Sequence, residues 1–221
     1  MINYNFKVKK INIPFSKILV IDNFLEKKYL PSLKHEINQL NLKSKSKKNF
    51  NLKYKSKKTE FLKFSEYYSF QKKLIKSLNT EKFKKFIQKK LELKKKIFPD
   101  KSNMYSGFNI VEKDGFLRPH ADFNYNSKLK MYRSINLLIY FNKNWKKKFG
   151  GNLIMYDYST MKQKYEFIAK ENRVLIFLTS KFTPHGYKKL TTKNKRISLN
   201  YYYYTKTNYS HSSEPHKTIW R

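Results

Sequence analysis

The chain has no cysteine, which excludes a disulfide framework, a Cys-ligated zinc site and a thiol nucleophile. Glycine occurs five times and proline six times in 221 residues, too few for collagen-like or Gly/Pro-rich low-complexity sequence. Acidic residues are scarce: fifteen Asp and Glu stand against fifty Lys and Arg, a formal net charge of +35. Arginine is scarcer still, at Arg118, Arg133, Arg173, Arg196 and Arg221 only, so the basic character is nearly all lysine. No apolar run approaches the ~18–20 residues of a membrane-spanning helix. The opening Met1-Ile-Asn-Tyr-Asn-Phe lacks the apolar stretch of a signal peptide. A cytoplasmic protein with no membrane partner is the expectation.

The lysine excess invites a polyanion-binding reading. Dedicated nucleic-acid readers lean on Arg, whose planar fork matches phosphates and guanine edges. Lys, Asn, Ile, Tyr and Phe are abundant together here, as AT-rich codons would produce. Compositional bias therefore accounts for the charge, and no specific nucleic-acid partner is expected. Apolar residues make up 39% and aromatics 17%, with 18 Tyr and 18 Phe, so burial rests on large rings.

The spacing predicts polar, irregular chain over 1–16, a buried strand from Lys17 to Val20 and a helix over Glu26–Leu40, with His35 on it in a structural place. Residues 41–58 read as a solvated Lys-rich loop. Residues 59–98 read as helical, with a cap at Asn79-Thr80-Glu81. The character changes near residue 103. Glu112-Lys113-Asp114-Gly115 is a hairpin signal, and Ser134–Phe141, Asn152–Tyr156, Phe167–Ala169, Arg173–Leu178 and Arg196–Tyr204 follow as strands separated by turns. Helices followed by seven or eight strands predict an α+β chain with a jelly-roll core and helices packed on its outside. The expected division is an N-terminal extension over 1–102, the core over 103–205 and a polar tail over 206–221, with His211 and His216 at the surface.

His120-Ala-Asp122 is an H-x-D pair, and on a strand the period of two puts both side chains on one face. His185 lies 63 residues later, directly after the strand Val174 to Leu178. Two imidazoles and a carboxylate make the facial ligand set of non-haem Fe(II) sites, which leaves positions open for a bidentate substrate and dioxygen. Arg196 and Ser198 share a face of the last strand, as do Asn136, Leu138 and Tyr140 on an earlier one. A guanidinium beside hydroxyls is a natural seat for a small dicarboxylate. Arg118 and Arg133 read as solvated or salt-bridged, Arg173 as structurally paired, Asn124 as a partner of a ligand, and Trp145 as packing.

These segments resemble the 2-oxoglutarate- and Fe(II)-dependent dioxygenases of the prolyl 4-hydroxylase-like group. The resemblance is carried by Leu117-Arg-Pro-His-Ala-Asp-Phe-Asn124, Asn136-Leu-Leu-Ile-Tyr-Phe-Asn-Lys-Asn-Trp145 with Gly150-Gly151, Asn172-Arg-Val-Leu-Ile-Phe177, Pro184-His-Gly186 and Arg196-Ile-Ser-Leu-Asn-Tyr-Tyr-Tyr-Tyr204. The segment His185–Leu190 departs from the family by replacing a Pro-containing stretch. The resemblance implies a double-stranded β-helix, cupin-like core. It also implies Fe(II) on His120, Asp122 and His185, 2-oxoglutarate on Arg196 with Ser198, Tyr140 and Asn136 nearby, and dioxygen as the oxidant. The implied reaction is hydroxylation of a peptidyl or free amino acid or a small metabolite, with release of succinate and CO2. Two rivals are a nucleic-acid demethylase of the same superfamily and a non-catalytic jelly-roll binding module. The demethylase would carry a second Arg where this chain has Tyr202.

Overall fold

The computed structural model describes residues 1–14, 16–100, 105–208 and 214–221. A hairpin of β1 (Val8–Ile13) and β2 (Ser16–Asp22) opens the chain. Helix α1 (Leu30–Lys43) follows, then a hairpin of β3 (Lys48–Leu52) and β4 (Lys55–Phe61), then α2 (Ser69–Leu78) and α3 (Glu81–Leu91). The later strands are β5 (Phe98–Pro99), β6 (Gly107–Ala121), β7 (Tyr125–Asn126), β8 (Met131–Tyr140), β9 (Leu153–Tyr156) and β10 (Gln163–Phe167). They continue with β11 (Arg173–Leu178), β12 (His185–Tyr187), β13 (Arg196–Thr205) and β14 (Ile219–Trp220).

The pairing is antiparallel in the order β1-β2-β11-β8-β13-β6-β12-β9-β10, with β4 and then β3 added along β6. Strand β6 joins two layers: Gly107–Val111 pairs with β13, while Leu117 and His120 pair with β12. Between them Asp114 takes φ +68°, and a Cβ on Gly115 would lie 2.3 Å from a Val111 methyl. The Asp-Gly pair thus supplies the left-handed backbone foreseen for a hairpin. It makes an in-strand bend instead, because the Asp114 amide donates to Leu190 O and the Leu190 amide donates to Gly115 O.

Alternation along β8 and β13 sorts two cores. Ile135, Leu137 and Ile139, with Leu199, Tyr201 and Tyr203, face the helices and pack with Leu33, Ile37, Leu74, Leu78, Phe83 and Ile87. Leu138 and Tyr140 face inward with Val111, Leu153, Met155, Leu175 and Phe177. Both faces of these strands are covered, which is why they read as nearly continuous apolar runs. The helices are tied down by polar contacts as well. Buried Glu36 of α1 accepts from the Phe70 and Gln71 amides at 3.0 and 2.9 Å, neutralising orphan donors at the start of α2. The Tyr203 hydroxyl donates to Leu78 O at 2.8 Å, meeting a free carbonyl at the other end of that helix. Thr80 caps α3 as expected, accepting from the Phe83 amide at 3.4 Å.

The double-stranded β-helix core and the helices outside it agree with expectation. Three local readings do not. Residues 1–16 hold a strand, β1. Residues 41–58 are not a solvated loop: they carry the end of α1, all of β3 and most of β4, and β4 pairs with β6. The segment near the C-terminus is not a free tail, because β14 pairs with His120 and Ala121 of β6. His35 lies exposed on α1, and His211 lies outside the described residues. Among the described residues no helix is long and apolar enough to cross a membrane.

Candidate active site

His120 ends β6 and His185 begins β12, and the two are direct cross-strand partners. Their rings lie 4.6 Å apart, centroid to centroid. Asp122 follows on the same face. His120 Nε2 stands 3.4 Å from Asp122 Oδ1, and His185 Nε2 stands 3.4 Å from Asp122 Oδ2. One ligand atom from each residue lies within 4.8 Å of the other two.

The surroundings fix how these groups present themselves. His120 Nδ1 meets Arg118 O at 2.9 Å, and His185 Nδ1 meets Thr183 O at 3.0 Å. A carbonyl only accepts, so each Nδ1 carries the proton and each Nε2 lone pair is left facing inward. Burial pushes His185 down to about 4, which keeps that imidazole neutral. Burial would raise the Asp122 carboxyl, but the Arg133 guanidinium outweighs it and holds the group well below the usual carboxylate range.

Arg133, on β8, is 4% exposed and donates from Nη2 to Asp122 Oδ2 at 2.9 Å. Asn136, three residues further along β8, donates from Nδ2 to the same oxygen at 2.6 Å and accepts from Arg133 through Oδ1. The guanidinium lies 3.6 Å from the Tyr202 ring centroid. The salt-bridged reading of Arg133 is thereby met, on the metal-facing carboxylate itself.

Neutral Nε2 atoms and an ionised, oriented carboxylate suit a divalent metal. For ligand bonds of ~2.1 Å at angles between 90° and tetrahedral, donor atoms stand roughly 3.0–3.4 Å apart, and each imidazole Nε2 stands 3.4 Å from one Asp122 oxygen.

Deeper in the same cavity lies Arg196, also 4% exposed. Its Nε donates to Gly151 O at 2.5 Å, and its two terminal nitrogens reach Ser198 Oγ and the Tyr140 hydroxyl at 3.4 Å each. Gly151 has φ +65°, and a Cβ there would lie 2.8 Å from Arg196 Cδ, so the Gly150-Gly151 turn makes room for the guanidinium. No carboxylate among the described residues pairs with Arg196. Burial raises the Tyr140 hydroxyl despite the neighbouring guanidinium, so it is a neutral donor.

The cavity holds about 200 Å³ and is lined by the triad, Arg196, Ser198 and Asn136, while the Tyr140 hydroxyl reaches it through Arg196. Asn136 lines it, but its amide is spent on Asp122, Arg133 and Thr179. Asn124 does not touch a ligand: its side chain donates to Glu214 O and accepts from the His216 amide, pinning the segment that leads to β14. Trp145 packs in the inner core. Arg173 forms a two-pronged pair with Asp22, and Arg118 is exposed.

Among the lining residues that the sequence reading missed are five from β4, β12 and β14. Lys55, Lys58 and Glu60 come from β4, Tyr187 from β12, and Trp220 from β14, where its ring stacks on Tyr54 at 4.7 Å and lies 4.9 Å from His120. Alternation in Lys58-Thr-Glu-Phe61 was the available signal for β4, masked by the surrounding lysines.

Residues 106–204 match the 2OG-Fe(II) oxygenase superfamily. No curated protein matches the chain by sequence. Among solved structures it is similar to a Pseudomonas putida prolyl-4-hydroxylase, with a TM-score of 0.65 and 14% identity over 86% of this chain and 93% of that one. It is also similar to a prolyl hydroxylase of Trichoplax adhaerens in complex with a hypoxia inducible factor peptide, at 0.59 and 17% over 85% and 83%. HygX of Streptomyces hygroscopicus, with nickel, 2-oxoglutarate and hygromycin B bound, scores 0.61 at 10% over 88% and 87%. At these identities the structural likeness is one of fold. The matched stretch spans the triad and Arg196, and residues 106–204 are similar to the 2OG-Fe(II) oxygenases, enzymes that use Fe(II), 2-oxoglutarate and dioxygen.

Proposed function

We propose that this chain hydroxylates a C–H bond of an amino acid, free or in a peptide, or of a small metabolite, coupled to conversion of 2-oxoglutarate to succinate and CO2. The observation that carries the reading is one cavity with the His120-Asp122-His185 cluster on one wall and an Arg without a carboxylate partner on another. His120, Asp122 and His185 would hold Fe(II), with Arg133 and Asn136 fixing the carboxylate. The metal, with 2-oxoglutarate and dioxygen, supplies the oxidising power for C–H cleavage; the protein supplies positioning and electrostatics. Arg196 binds the distal carboxylate of 2-oxoglutarate through its fork, with Ser198 and Tyr140 as hydroxyl donors. Phe123, Leu117 and Trp220 wall the outer cavity and limit water near the reacting atoms. Tyr202 stacks against Arg133 where a demethylase would place its second Arg, which favours the hydroxylase reading.

The test is succinate formation with Fe(II) and 2-oxoglutarate over a panel of amino acids, peptides and metabolites. His120→Ala and Asp122→Ala are expected to abolish turnover and retain the fold. Arg196→Lys keeps the charge but not the fork, and should raise the 2-oxoglutarate requirement roughly ten- to a hundredfold with metal affinity intact. Unchanged 2-oxoglutarate dependence in Arg196→Leu would remove Arg196 from the site.

A further inference from the structure

Six charged side chains line the cavity: Lys55, Lys58, Arg133 and Arg196, against Glu60 and Asp122. Arg133 is matched by Asp122. Arg196 is assigned above to 2-oxoglutarate. Lys58 and Lys55 share a single carboxylate, Glu60, at 2.7 and 3.6 Å. The charges of Fe(II) and 2-oxoglutarate cancel each other, so a loaded site keeps its excess of cations.

The register places this excess away from the co-substrate. Lys58 pairs with Val111, and Val111 with Arg196, so Lys58 and Arg196 lie in one inward row across β4, β6 and β13. Two inter-strand spacings separate their backbones by roughly 10 Å. Glu60 lies in the next row with Asn109 and Ser198. Lys58 is 9% exposed. A buried ion pair contributes little to stability once desolvation is counted, and an apolar pair of similar volume would serve the fold as well. Strand β4 already uses an apolar residue, Phe61, on its other face in the helix-side core. The charged pair faces the cavity instead. Burial and the nearby Lys58 lower the proton affinity of Lys55, a strain that a further anion would relieve. The Tyr187 hydroxyl, on the same cavity, is buried and has no hydrogen-bond partner among the described residues.

We propose that β4 carries an anion subsite for the primary substrate: a carboxylate or phosphate held by Lys58 and Lys55, with the Tyr187 hydroxyl as a further donor. The proposal rests on Arg196 being the 2-oxoglutarate seat, which leaves the β4 cations for the other reactant. The substrate is a compact acid, because β14 occupies the β6 edge beside His120 and Trp220 lies against the ring, so an extended peptide cannot pair with β6 there.

The test is calorimetric titration of the full chain loaded with Zn(II), with and without saturating 2-oxoglutarate. The probes are L-aspartate, L-glutamate and O-phospho-L-serine against L-asparagine, L-glutamine and L-serine, and an Asp-containing hexapeptide against its Asn counterpart. At least one free acid should bind about tenfold or more tightly than its neutral partner, and Lys58→Met and Lys55→Met should each remove most of that preference. Lys58→Arg should keep it, and 2-oxoglutarate should bind all three variants as it binds wild type. The proposal is overturned if no acid outbinds its neutral partner, if only the peptide does, or if both Met variants keep the preference. Failure of wild type to bind 2-oxoglutarate would instead strike the assignment of Arg196, while the acid titrations without 2-oxoglutarate still read the β4 subsite.

Discussion

Arg133→Met removes the cation that holds Asp122 in place. In wild type the carboxylate is oriented from one side by Arg133 at 2.9 Å and Asn136 at 2.6 Å, and it faces the cavity with 13% of its side chain exposed. Removing one partner of such a buried pair strands the other charge and costs about 3–5 kcal/mol. The guanidinium's contact with the Tyr202 ring goes with it. For a chain of this size about 1 kcal/mol moves Tm by ~2–4 °C, so the metal-free variant should melt roughly 6–20 °C below wild type. A bound divalent ion restores positive charge beside Asp122, so the deficit should shrink when Zn(II) or Mn(II) is added. The ligand is also less well oriented, and metal affinity should fall about 10–100-fold, the usual effect of losing a partner of a ligand. Paired thermal melts with and without metal, together with metal titration by calorimetry, read both effects. A metal-free melt within about 2 °C of wild type, or an unchanged metal affinity, would refute the claim that Arg133 orders this carboxylate.

Trp220→Ala should loosen β14 and the facing end of β6, raising backbone hydrogen exchange there by roughly tenfold while β8 is unaffected, and Trp220→Phe should restore protection; uniform exchange in both variants would deny the stack on Tyr54 a structural role. Glu36→Ala strips the acceptor from the first turn of α2 and should lower unfolding stability by about 1.5–3 kcal/mol in a denaturant titration, with the cavity groups in place; a midpoint like that of wild type would show the α2 amides satisfied by solvent.

The strands of the core were legible because a burial period of two on both faces leaves apolar runs such as Arg173–Leu178, bounded by turns. In the candidate site, His120 and Asp122 were legible from their H-x-D spacing on one strand face, and His185 and Arg196 from the motifs that carry the family resemblance. What was not legible depends on contacts distant in sequence. Lys58 and Glu60 look like any stretch of a Lys-rich surface until β4 pairs with β6 and turns them inward. Trp220 becomes a wall of the cavity only because Asn124, more than ninety residues away, holds the approach to β14 through Glu214 and His216. The Asp114-Gly115 signal was correct about the backbone and misleading about the topology. Positive φ permits either a reversal or a bend, and the hydrogen bonds to Leu190, which no local pattern reveals, select the bend.

The five arginines carry an argument of their own. In a chain that supplies lysine at 45 of 50 basic positions, any site satisfied by a point charge would be expected to hold Lys. Three of the five sit where a flexible ammonium could not replace the planar fork. Arg173 grips both oxygens of Asp22 through Nε and Nη2 and a backbone carbonyl through Nη1. Arg133 spans Asp122 and Asn136 while its face lies on Tyr202. Arg196 donates at once toward Gly151, Ser198 and Tyr140, with its face on Tyr187. Each of these uses at least two directions of the guanidinium and two use its π-face, demands that fix its plane. Lys58 and Lys55 meet the opposite condition, two ammonium groups converging on one oxygen of Glu60, a contact that uses no fork, and there the chain has kept lysine. The distribution of the two residues therefore follows geometry rather than composition in the candidate site, where both line the same cavity.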